Sequence, residues 1–237
     1  MYQDKTFFAL IPARAGSKGL KNKNIQILRG KHLIAYTIEA ALESGVFERV
    51  VVSTESEEIA AIAKRHGAEV PFVRPAELTT DTASITHVLL HALDFFRERG
   101  MEFTYLSLLQ PTSPLRTAVD IRGAADLILE KDANAIVSIC ETDHPPAWSN
   151  TLPEDGSMDG FMKKKTRNLR RQDLPRYYRV NGAVYIARVD YFRRFQDWFI
   201  QGSCAYIMPP ERSIDIDTAF DLAFCECLMK LLPEFTE

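Results

Sequence analysis

The 237-residue chain carries 29 lysines and arginines against 32 aspartates and glutamates, a formal net charge of −3. Hydrophobic residues make up 46% and charged residues 26%, the proportions of an ordinary globular protein. This balance argues against nucleic acid or an anionic membrane as the main partner, and no apolar run approaches the ~18 residues needed to span a bilayer. The length fits one domain, or one domain with an insertion.

The N-terminal stretch lacks the layout of a signal peptide, because its apolar run is short and meets Pro12 and Arg14. The four cysteines have neither metal-ligand nor redox spacing. We interpret them as reduced packing residues, which predicts a cytoplasmic protein. They are Cys140, Cys204, Cys225 and Cys227.

Hydrophobic periodicity predicts strands and helices that alternate along the first two thirds of the chain, which favours an α/β domain with a mainly parallel sheet. The predicted strands are Phe7–Ile11, Arg49–Ser53, Glu69–Val73, Tyr105–Gln110, Ala135–Cys140, Gly182–Ala187 and Cys204–Met208. The predicted helices are Leu33–Ser44, Thr54–His66, Ser84–Arg99, Thr117–Lys131, Val189–Phe195 and Thr218–Leu232.

The first predicted strand ends in a glycine-bearing, cation-rich loop that runs from Pro12 to Asn24. Exposed N–H groups in such a loop form a concave anion site, and its cations neutralise phosphate charge. The loop is neither a P-loop nor a dinucleotide fingerprint, since the required glycine and lysine spacings are absent. A basic solvated loop is the alternative. The four cations are Arg14, Lys18, Lys21 and Lys23.

Two later stretches interrupt the regular pattern. The segment Pro111–Arg116 follows a strand with two prolines and two hydroxyl residues, at the sheet edge where ligands bind in open α/β folds. Residues 141–180 are rich in Pro, Asp, Lys and Arg and have no amphipathic period. A long irregular stretch in a compact domain is usually functional or packs on a partner.

Near the C-terminus, Asp215 and Asp217 lie two residues apart, with Asp221 beyond them. In an extended segment both carboxylates can reach one cation, and Mg²⁺ takes one or two protein carboxylates together with phosphate oxygens. Acidic capping of the final helix is the alternative for such residues. A basic phosphate loop combined with this acidic segment predicts that the protein holds a nucleoside triphosphate and Mg²⁺, as a nucleotidyltransferase does.

Several motifs along the chain together resemble those of one protein family. These motifs occur in the order seen in that family. They are the loop Ile11–Asn24, the segments Arg74–Leu78 and Asp81–Ser84, Leu108–Arg116, Arg171-Gln172 with Asn181–Tyr185, and Ile214–Asp217. Together they resemble the acylneuraminate cytidylyltransferases, which are the CMP-sialic acid synthetases and their bacterial nonulosonate relatives.

The resemblance implies a three-layer, Rossmann-like α/β nucleotidyltransferase with a mainly parallel, mixed sheet. It implies one domain over residues 1–237, with 141–181 as an inserted dimerisation arm that reaches the active site of the neighbouring subunit. The implied reaction joins CTP and a nine-carbon 2-keto sugar acid into a CMP-sugar, with Mg²⁺ as cofactor and pyrophosphate leaving. The anomeric hydroxyl of the sugar would attack the α-phosphate directly.

The resemblance also implies roles for individual residues. Nucleotide binding falls on Ala13, Arg14, Ser17, Lys18, Lys23, Asn24, Arg74 and Ser84. Sugar-acid binding falls on Gln110, Arg116, Arg171, Asn181 and Tyr185, with Arg171 as the cation for the sugar carboxylate. The Mg²⁺ ligands are Asp215 and Asp217, and the catalytic residues are Arg14, Lys18, Lys23, Asp215 and Asp217. Asp215 is a candidate general base.

Departures from the family pattern fall in the sugar pocket. Ala147 and Trp148 follow His144-Pro145, where sialic acid enzymes can carry a lysine, and the expected pair of phenylalanines is missing around Ser203–Ala205. The sequence therefore does not choose between N-acetylneuraminic, legionaminic and pseudaminic acids as the substrate. A glycosyltransferase, a cytidylyltransferase for the keto-sugar acid Kdo and a non-catalytic nucleotide-binding protein are the alternatives.

Overall fold

The computed structural model describes residues 1–16 and 19–235. Strands within these ranges are β1 (Phe7–Pro12), β2 (Ile27–Leu28), β3 (Lys31–His32), β4 (Arg49–Ser53), β5 (Tyr105–Leu108), β6 (Ala135–Glu141), β7 (Tyr178–Arg188) and β8 (Ser203–Ile207). The α-helices there are α1 (Leu33–Glu43), α2 (Glu57–Arg65), α3 (Ile85–Arg97), α4 (Ala118–Glu130), α5 (Val189–Phe195) and α6 (Ala219–Met229). None of the helices in these ranges combines the length and the apolar character that crossing a bilayer demands.

Six strands form one sheet in the order β4-β1-β5-β7-β6-β8. Neighbouring strands are parallel except for β7, which runs antiparallel to both β5 and β6. The sheet is therefore mainly parallel and mixed, as predicted. Strands β2 and β3 form a separate antiparallel pair.

Helices cover both faces of the sheet, which produces three layers. Alternate side chains of β1 point to opposite faces, as the pleat of a strand requires. Phe7, Ala9 and Ile11 pack in the core beneath α1, α2 and α4, whereas Phe8 and Leu10 pack in the core beneath α3 and α5. The near-continuous burial of β1 explains why its sequence is apolar at every position.

Helix starts agree with local sequence signals. The Ser56 and Ser84 hydroxyls accept backbone N–H bonds at the starts of α2 and α3. Thr117 and Thr218 form capping boxes with the aspartates three residues further on.

The predicted strand Glu69–Val73 is wrong. Glu69 makes one isolated parallel bridge with Val51, and the segment then continues beside β4 without a ladder. Pro71 lies in the middle of this segment, and a proline has no N–H to donate to a sheet.

The connection between β6 and β7 corresponds to the predicted arm. Both ends of the range 141–181 belong to the sheet, because β6 extends to Glu141 and β7 begins at Tyr178. Residues 142–177 contain only the short 3-10 turns Pro146–Trp148 and Arg171–Asp173. Several apolar side chains of this connection are exposed, among them Leu152 and Met158.

Candidate active site

A cavity of about 600 Å³ opens at the carboxyl ends of the parallel strands β1 and β5. Strand β7 runs the opposite way and therefore brings its first half to the same edge. The residues that line the cavity include Arg14, Gly19, Lys23, Asn24, Arg74, Leu78, Asp81, Gln110, Thr112, Tyr185, Trp198, Phe199 and Asp217. Seven residues predicted for the site are thus brought together from five separate stretches of the chain.

The first loop supplies the cationic part of the cavity. Arg14 Nη1 lies 2.6 Å from Asp81 Oδ1, and Lys23 Nζ lies 2.7 Å from Asp217 Oδ1. Each of these cations is therefore paired with a carboxylate at the cavity. The predicted residues Ser17 and Lys18 lie outside the described residues.

Arg74 is a buried cation beside this loop. Its Nε donates to Ser53 Oγ at 3.0 Å, and its Nη2 donates to the Ser53 carbonyl. Burial lowers the pKa of Arg74 to about 10, with a smaller contribution from the nearby Arg14. The guanidinium is still protonated at neutral pH, so it brings a fixed positive charge to the cavity wall.

Other residues predicted to bind the nucleotide have local structural roles. Asn24 is buried, and its Nδ2 donates to the Arg14 carbonyl at 3.0 Å, which ties the two ends of the first loop together. Ala13 is buried and pairs with β4 through its N–H. The Ser84 hydroxyl caps α3 by accepting the Thr86 N–H at 3.2 Å. Neither Ala13 nor Ser84 lines the cavity.

The acidic segment places its three aspartates in different environments. Between Asp215 and Asp217, the buried Ile216 donates its N–H to the Thr112 carbonyl at 2.8 Å, which anchors the segment beside the loop after β5. Asp217 lines the cavity. Asp221 instead caps α6, where its Oδ2 accepts the N–H and the hydroxyl of Thr218.

The pKa of Asp215 is raised, chiefly because neighbouring protein atoms remove water from its carboxyl group. The negative charge of Asp217 raises it further, and a hydrogen bond from Thr112 acts in the opposite direction. A carboxyl group whose ionisation is disfavoured by burial and by a neighbouring carboxylate is a natural place for a cation.

The donor chemistry of this segment fits a hard divalent cation. Within residues 1–16 and 19–235, no three His, Cys, Asp or Glu side chains are grouped so as to hold a metal ion. Mg²⁺ does not require such a cage, because it is commonly held by one or two carboxylates together with substrate phosphates and water. Asp215 and Asp217 fit that requirement in number and chemical type, and of the two Asp217 lines the cavity, where it is paired with Lys23.

Gln110 and Tyr185 line the part of the cavity formed by β5 and β7. Gln110 packs over Gly182, where a Cβ would lie 3.5 Å from Gln110 Nε2. Gly182 has a φ of +75°, a conformation that side-chain-bearing residues rarely adopt. The positive φ is therefore what favours glycine at this position, since a Cβ would make only an ordinary contact with the Gln110 amide.

Arg116 and Asn181 do not line the cavity, in contrast to the expectation that they contact the sugar acid. Both side chains are 1% exposed. Asn181 Oδ1 accepts from Ser138 Oγ at 2.6 Å, and its Nδ2 donates to Ser213 Oγ at 2.9 Å. These contacts give Asn181 a supporting role beneath the cavity.

Arg171 also lies outside the cavity of its own chain. Its exposed guanidinium is 3.8 Å from Glu141 Oε1 and donates to the Thr142 carbonyl at 3.4 Å. If Arg171 binds a substrate, the site must be completed by another subunit or by movement of residues 142–177.

Sequence reasoning missed the aromatic wall of the cavity. Trp198 and Phe199 both line it, and the Trp198 ring lies 5.2 Å from that of Tyr185. These two residues precede the stretch Ser203–Ala205, around which the expected pair of phenylalanines is missing. The sequence signal that could have revealed this wall is the pair of adjacent aromatic residues.

Comparison with known proteins identifies the family of the chain. The family model described as Cytidylyltransferase matches residues 8–201. A CMP-N,N'-diacetyllegionaminic acid synthase of Legionella pneumophila is 37% identical over 95% of this chain and 97% of its own length. An N-acylneuraminate cytidylyltransferase of Escherichia coli is 41% identical over 90% of this chain. The chain spans about half the length of that second relative, 49%.

A solved structure shares the fold. The CMP:2-keto-3-deoxy-manno-octonic acid synthetase, solved with CTP, has a TM-score of 0.70 to this chain at 17% sequence identity. The similarity covers 95% of this chain and 99% of the other. At that identity it establishes the fold alone.

Proposed function

Because the chain belongs to the cytidylyltransferase family, we propose that it makes a CMP-activated nonulosonic acid from CTP and the free sugar acid. The observation that carries this proposal is the single cavity in which the cationic first loop, the acidic segment and the Gln110–Tyr185 wall meet. The hydroxyl oxygen at the anomeric carbon of the sugar forms a bond to the α-phosphorus. The bond to the bridging oxygen of the β-phosphate breaks, pyrophosphate leaves with that electron pair, and the hydroxyl proton passes to a base.

Arg14 and Lys23 bind the triphosphate in this proposal. Both are cations with a terminal nitrogen at the cavity, and both are held by carboxylates in this structure. Phosphate oxygens can replace those carboxylates, because charge-assisted hydrogen bonds to phosphate are among the strongest in proteins. The family resemblance extends this role to Lys18. Neutralising the negative charge that moves onto pyrophosphate is the main catalytic requirement of such a transfer.

Arg74 and Asn24 form the cytidine side of the cavity. Arg74 is fixed by its bonds to Ser53, and Asn24 is fixed by its bond to the Arg14 carbonyl. Their rigid attachment to the sheet edge places polar groups at a defined distance from the triphosphate cations, as discrimination between bases requires. Ser84 contributes here by starting helix α3 at the cavity rim.

Asp215 and Asp217 are the residues that would hold Mg²⁺. When bound there together with CTP, the ion would supply positive charge to the phosphates. Thr112 orients the Asp215 carboxyl through its hydrogen bond, and the Ile216–Thr112 backbone bond fixes the position of both aspartates relative to the loop after β5.

Gln110, Tyr185, Trp198 and Phe199 would bind the sugar acid. A polyhydroxylated ring with acylamino substituents offers polar edges to Gln110 and apolar groups to the aromatic wall. We place the sugar carboxylate against Arg171 of a second subunit, because Arg171 lies outside the cavity of its own chain and the connection 142–177 has exposed apolar side chains. A homodimer with arms exchanged between active sites follows from this assignment. The four free cysteines and the use of CTP agree with a cytoplasmic enzyme.

The experiment that tests this function is pyrophosphate release from CTP and Mg²⁺ with a panel of N-acetylneuraminic, legionaminic and pseudaminic acids. Kdo, UTP in place of CTP, and the absence of sugar are the controls. Release with CTP and one of the nine-carbon acids supports the proposal. Release with Kdo alone would assign the enzyme to another keto-sugar acid, and tight CTP binding without release on any acid would contradict it.

A further inference from the structure

Strands β5 and β7 separate at the floor of the cavity. Their antiparallel ladder ends at the pair Leu108 and Tyr185. Continuation of the same register would place Gln110 opposite Ala183. At that position side chains replace the backbone ladder, because the Ala183 N–H donates to Asn181 Oδ1 at 3.1 Å and not to a strand.

The guanidinium of Arg116 lies between the two separating strands. Its Nη1 donates to the Ala183 carbonyl at 2.7 Å and to the Gln110 carbonyl at 3.3 Å. Two facing carbonyl groups cannot bond to each other, since both are acceptors. One nitrogen with two hydrogens satisfies both carbonyls and sets the distance between the strands.

Burying this arginine is costly. The side chain is 1% exposed, and within the described residues its Nε and Nη2 have no protein acceptor. Removal from water lowers the pKa of Arg116 to about 9, and the nearby Asp120 opposes the shift only in part. A buried charge with few partners lowers stability relative to an apolar side chain of similar volume. Its presence is therefore better explained by the geometry that it imposes than by stability.

The backbone groups that Arg116 joins carry the residues of the cavity wall. The Gln110 side chain lies over Gly182, the residue next to Ala183. Tyr185 follows two positions along β7 and contacts Trp198. The Thr37 hydroxyl also donates to the Gln110 carbonyl at 3.3 Å, so this carbonyl is held from two sides.

We propose that Arg116 is a positioning residue, which does not touch substrate but bridges the Gln110 and Ala183 carbonyls and thereby sets Gln110 and Tyr185 at the spacing that the sugar acid requires. The proposal rests on the function proposed above. It predicts that Arg116 acts on the sugar half of the cavity and not on the nucleotide half, because both bridged strands lie on the sugar side.

The test compares Arg116→Met with Arg122→Met. Arg122 is a matched control, because its Nη1 also donates to two backbone carbonyls, but these belong to Glu43 and Ser44 at the end of α1 and not to the cavity wall. Arg116→Met is expected to raise the KM of the sugar acid about tenfold, since small misplacements of binding groups are costly in an enzyme. The Kd of CTP is expected to change by less than about twofold, and Arg116→Lys, which keeps a donor, is expected to give a smaller rise in KM.

A second readout does not depend on the sugar. Hydrogen exchange of residues 108–116 and 180–186 is expected to speed up in Arg116→Met and not in Arg122→Met. If Arg116→Met does not fold, the same two measurements on Arg116→Lys decide the question. Equal rises in the sugar KM and the CTP Kd, or unchanged exchange in both segments, would overturn the positioning role. If exchange is faster in Arg116→Met but the wild-type protein turns over no sugar acid, the bridging role of Arg116 is supported and the proposed function is contradicted.

Discussion

Lys23 Nζ lies 2.7 Å from Asp217 Oδ1, so a cation of the first loop and a carboxylate of the acidic segment neutralise each other across the cavity. The Lys23 side chain is 18% exposed and that of Asp217 is 70% exposed. Binding of CTP with Mg²⁺ would open this pair, because phosphate oxygens are better partners for Lys23 and the metal is a better partner for Asp217. The two halves of the nucleotide site are therefore coupled through one ion pair.

Replacing Lys23 by methionine is expected to weaken CTP binding by roughly 10- to 100-fold. The estimate corresponds to the loss of one charge-assisted hydrogen bond, about 1.5–3 kcal/mol. Lys21→Met removes the same charge from the same loop at an exposed position that does not line the cavity, and it serves as the control. Titration calorimetry with CTP makes the measurement. Equal losses in both variants would mean that only the net charge of the loop matters.

Replacing Asp217 is expected to affect mainly turnover, whereas replacing Asp221 is expected to affect mainly thermal stability. Asp217→Asn should lower turnover by on the order of 100-fold without a change in Tm, because in the proposed function this carboxylate would hold the Mg²⁺ that neutralises phosphate charge, and its side chain is 70% exposed. Asp221→Ala removes the cap of α6 and the acceptor of the Asp217 N–H at 3.1 Å, so it should lower Tm by about 2–4 °C and should lower turnover less than Asp217→Asn does. Unchanged turnover of Asp217→Asn at saturating Mg²⁺ would refute the metal assignment.

Gly19 is expected to tolerate no side chain. A Cβ at this position would lie 2.5 Å from the Asp217 carbonyl oxygen, so the first loop and the acidic segment would have to separate. Gly16 belongs to the same loop, and a Cβ there meets nothing within 4 Å. Gly19→Ala should therefore lose most of its kcat/KM for CTP, whereas Gly16→Ala should retain it. Similar activities of the two variants would show that the close approach is unimportant.

The proposed exchange of arms predicts complementation between two impaired variants. Arg171→Ala would damage the site of the partner subunit, whereas Asp217→Asn would damage the site of its own chain. In a mixed dimer one site then receives both intact residues, so unfolding and refolding the two variants together should restore about a quarter of the wild-type rate. The assay is run at a sugar concentration well below KM. A mixture no more active than its components would place Arg171 in its own chain's site, or in none.

Much of the fold was predictable from sequence because its elements have strong local signals. The buried strands β1 and β4 are apolar runs, and the helices start at Ser and Thr caps. The segment Glu69–Val73 was predicted wrongly because its apolar residues outweighed the effect of Pro71. The segment is only partly buried, with Val73 75% exposed, and a ladder requires donors that it cannot supply throughout.

The candidate site was predictable only where residue type determines position. Cations in a glycine-bearing loop and carboxylates after a strand must lie at the sheet edge, and Arg14, Lys23 and Asp217 do so. No sequence pattern distinguishes an arginine that faces a ligand from one that bridges two strands, so Arg116 was placed in contact with the substrate. The same limit applied to Asn181, whose partners come from two distant parts of the chain, Ser138 and the segment from Met208 to Ser213.

The most direct test of the proposed transfer of CMP to a nonulosonic acid follows the α-phosphate. With CTP labelled by ³²P at that position, the account predicts that the label enters a CMP–sugar acid conjugate, in amounts equal to the unlabelled pyrophosphate released, and only when a nonulosonic acid is present. Label that remains in free CMP or CTP while pyrophosphate is released, or conjugate that forms equally well with UTP, would contradict the account.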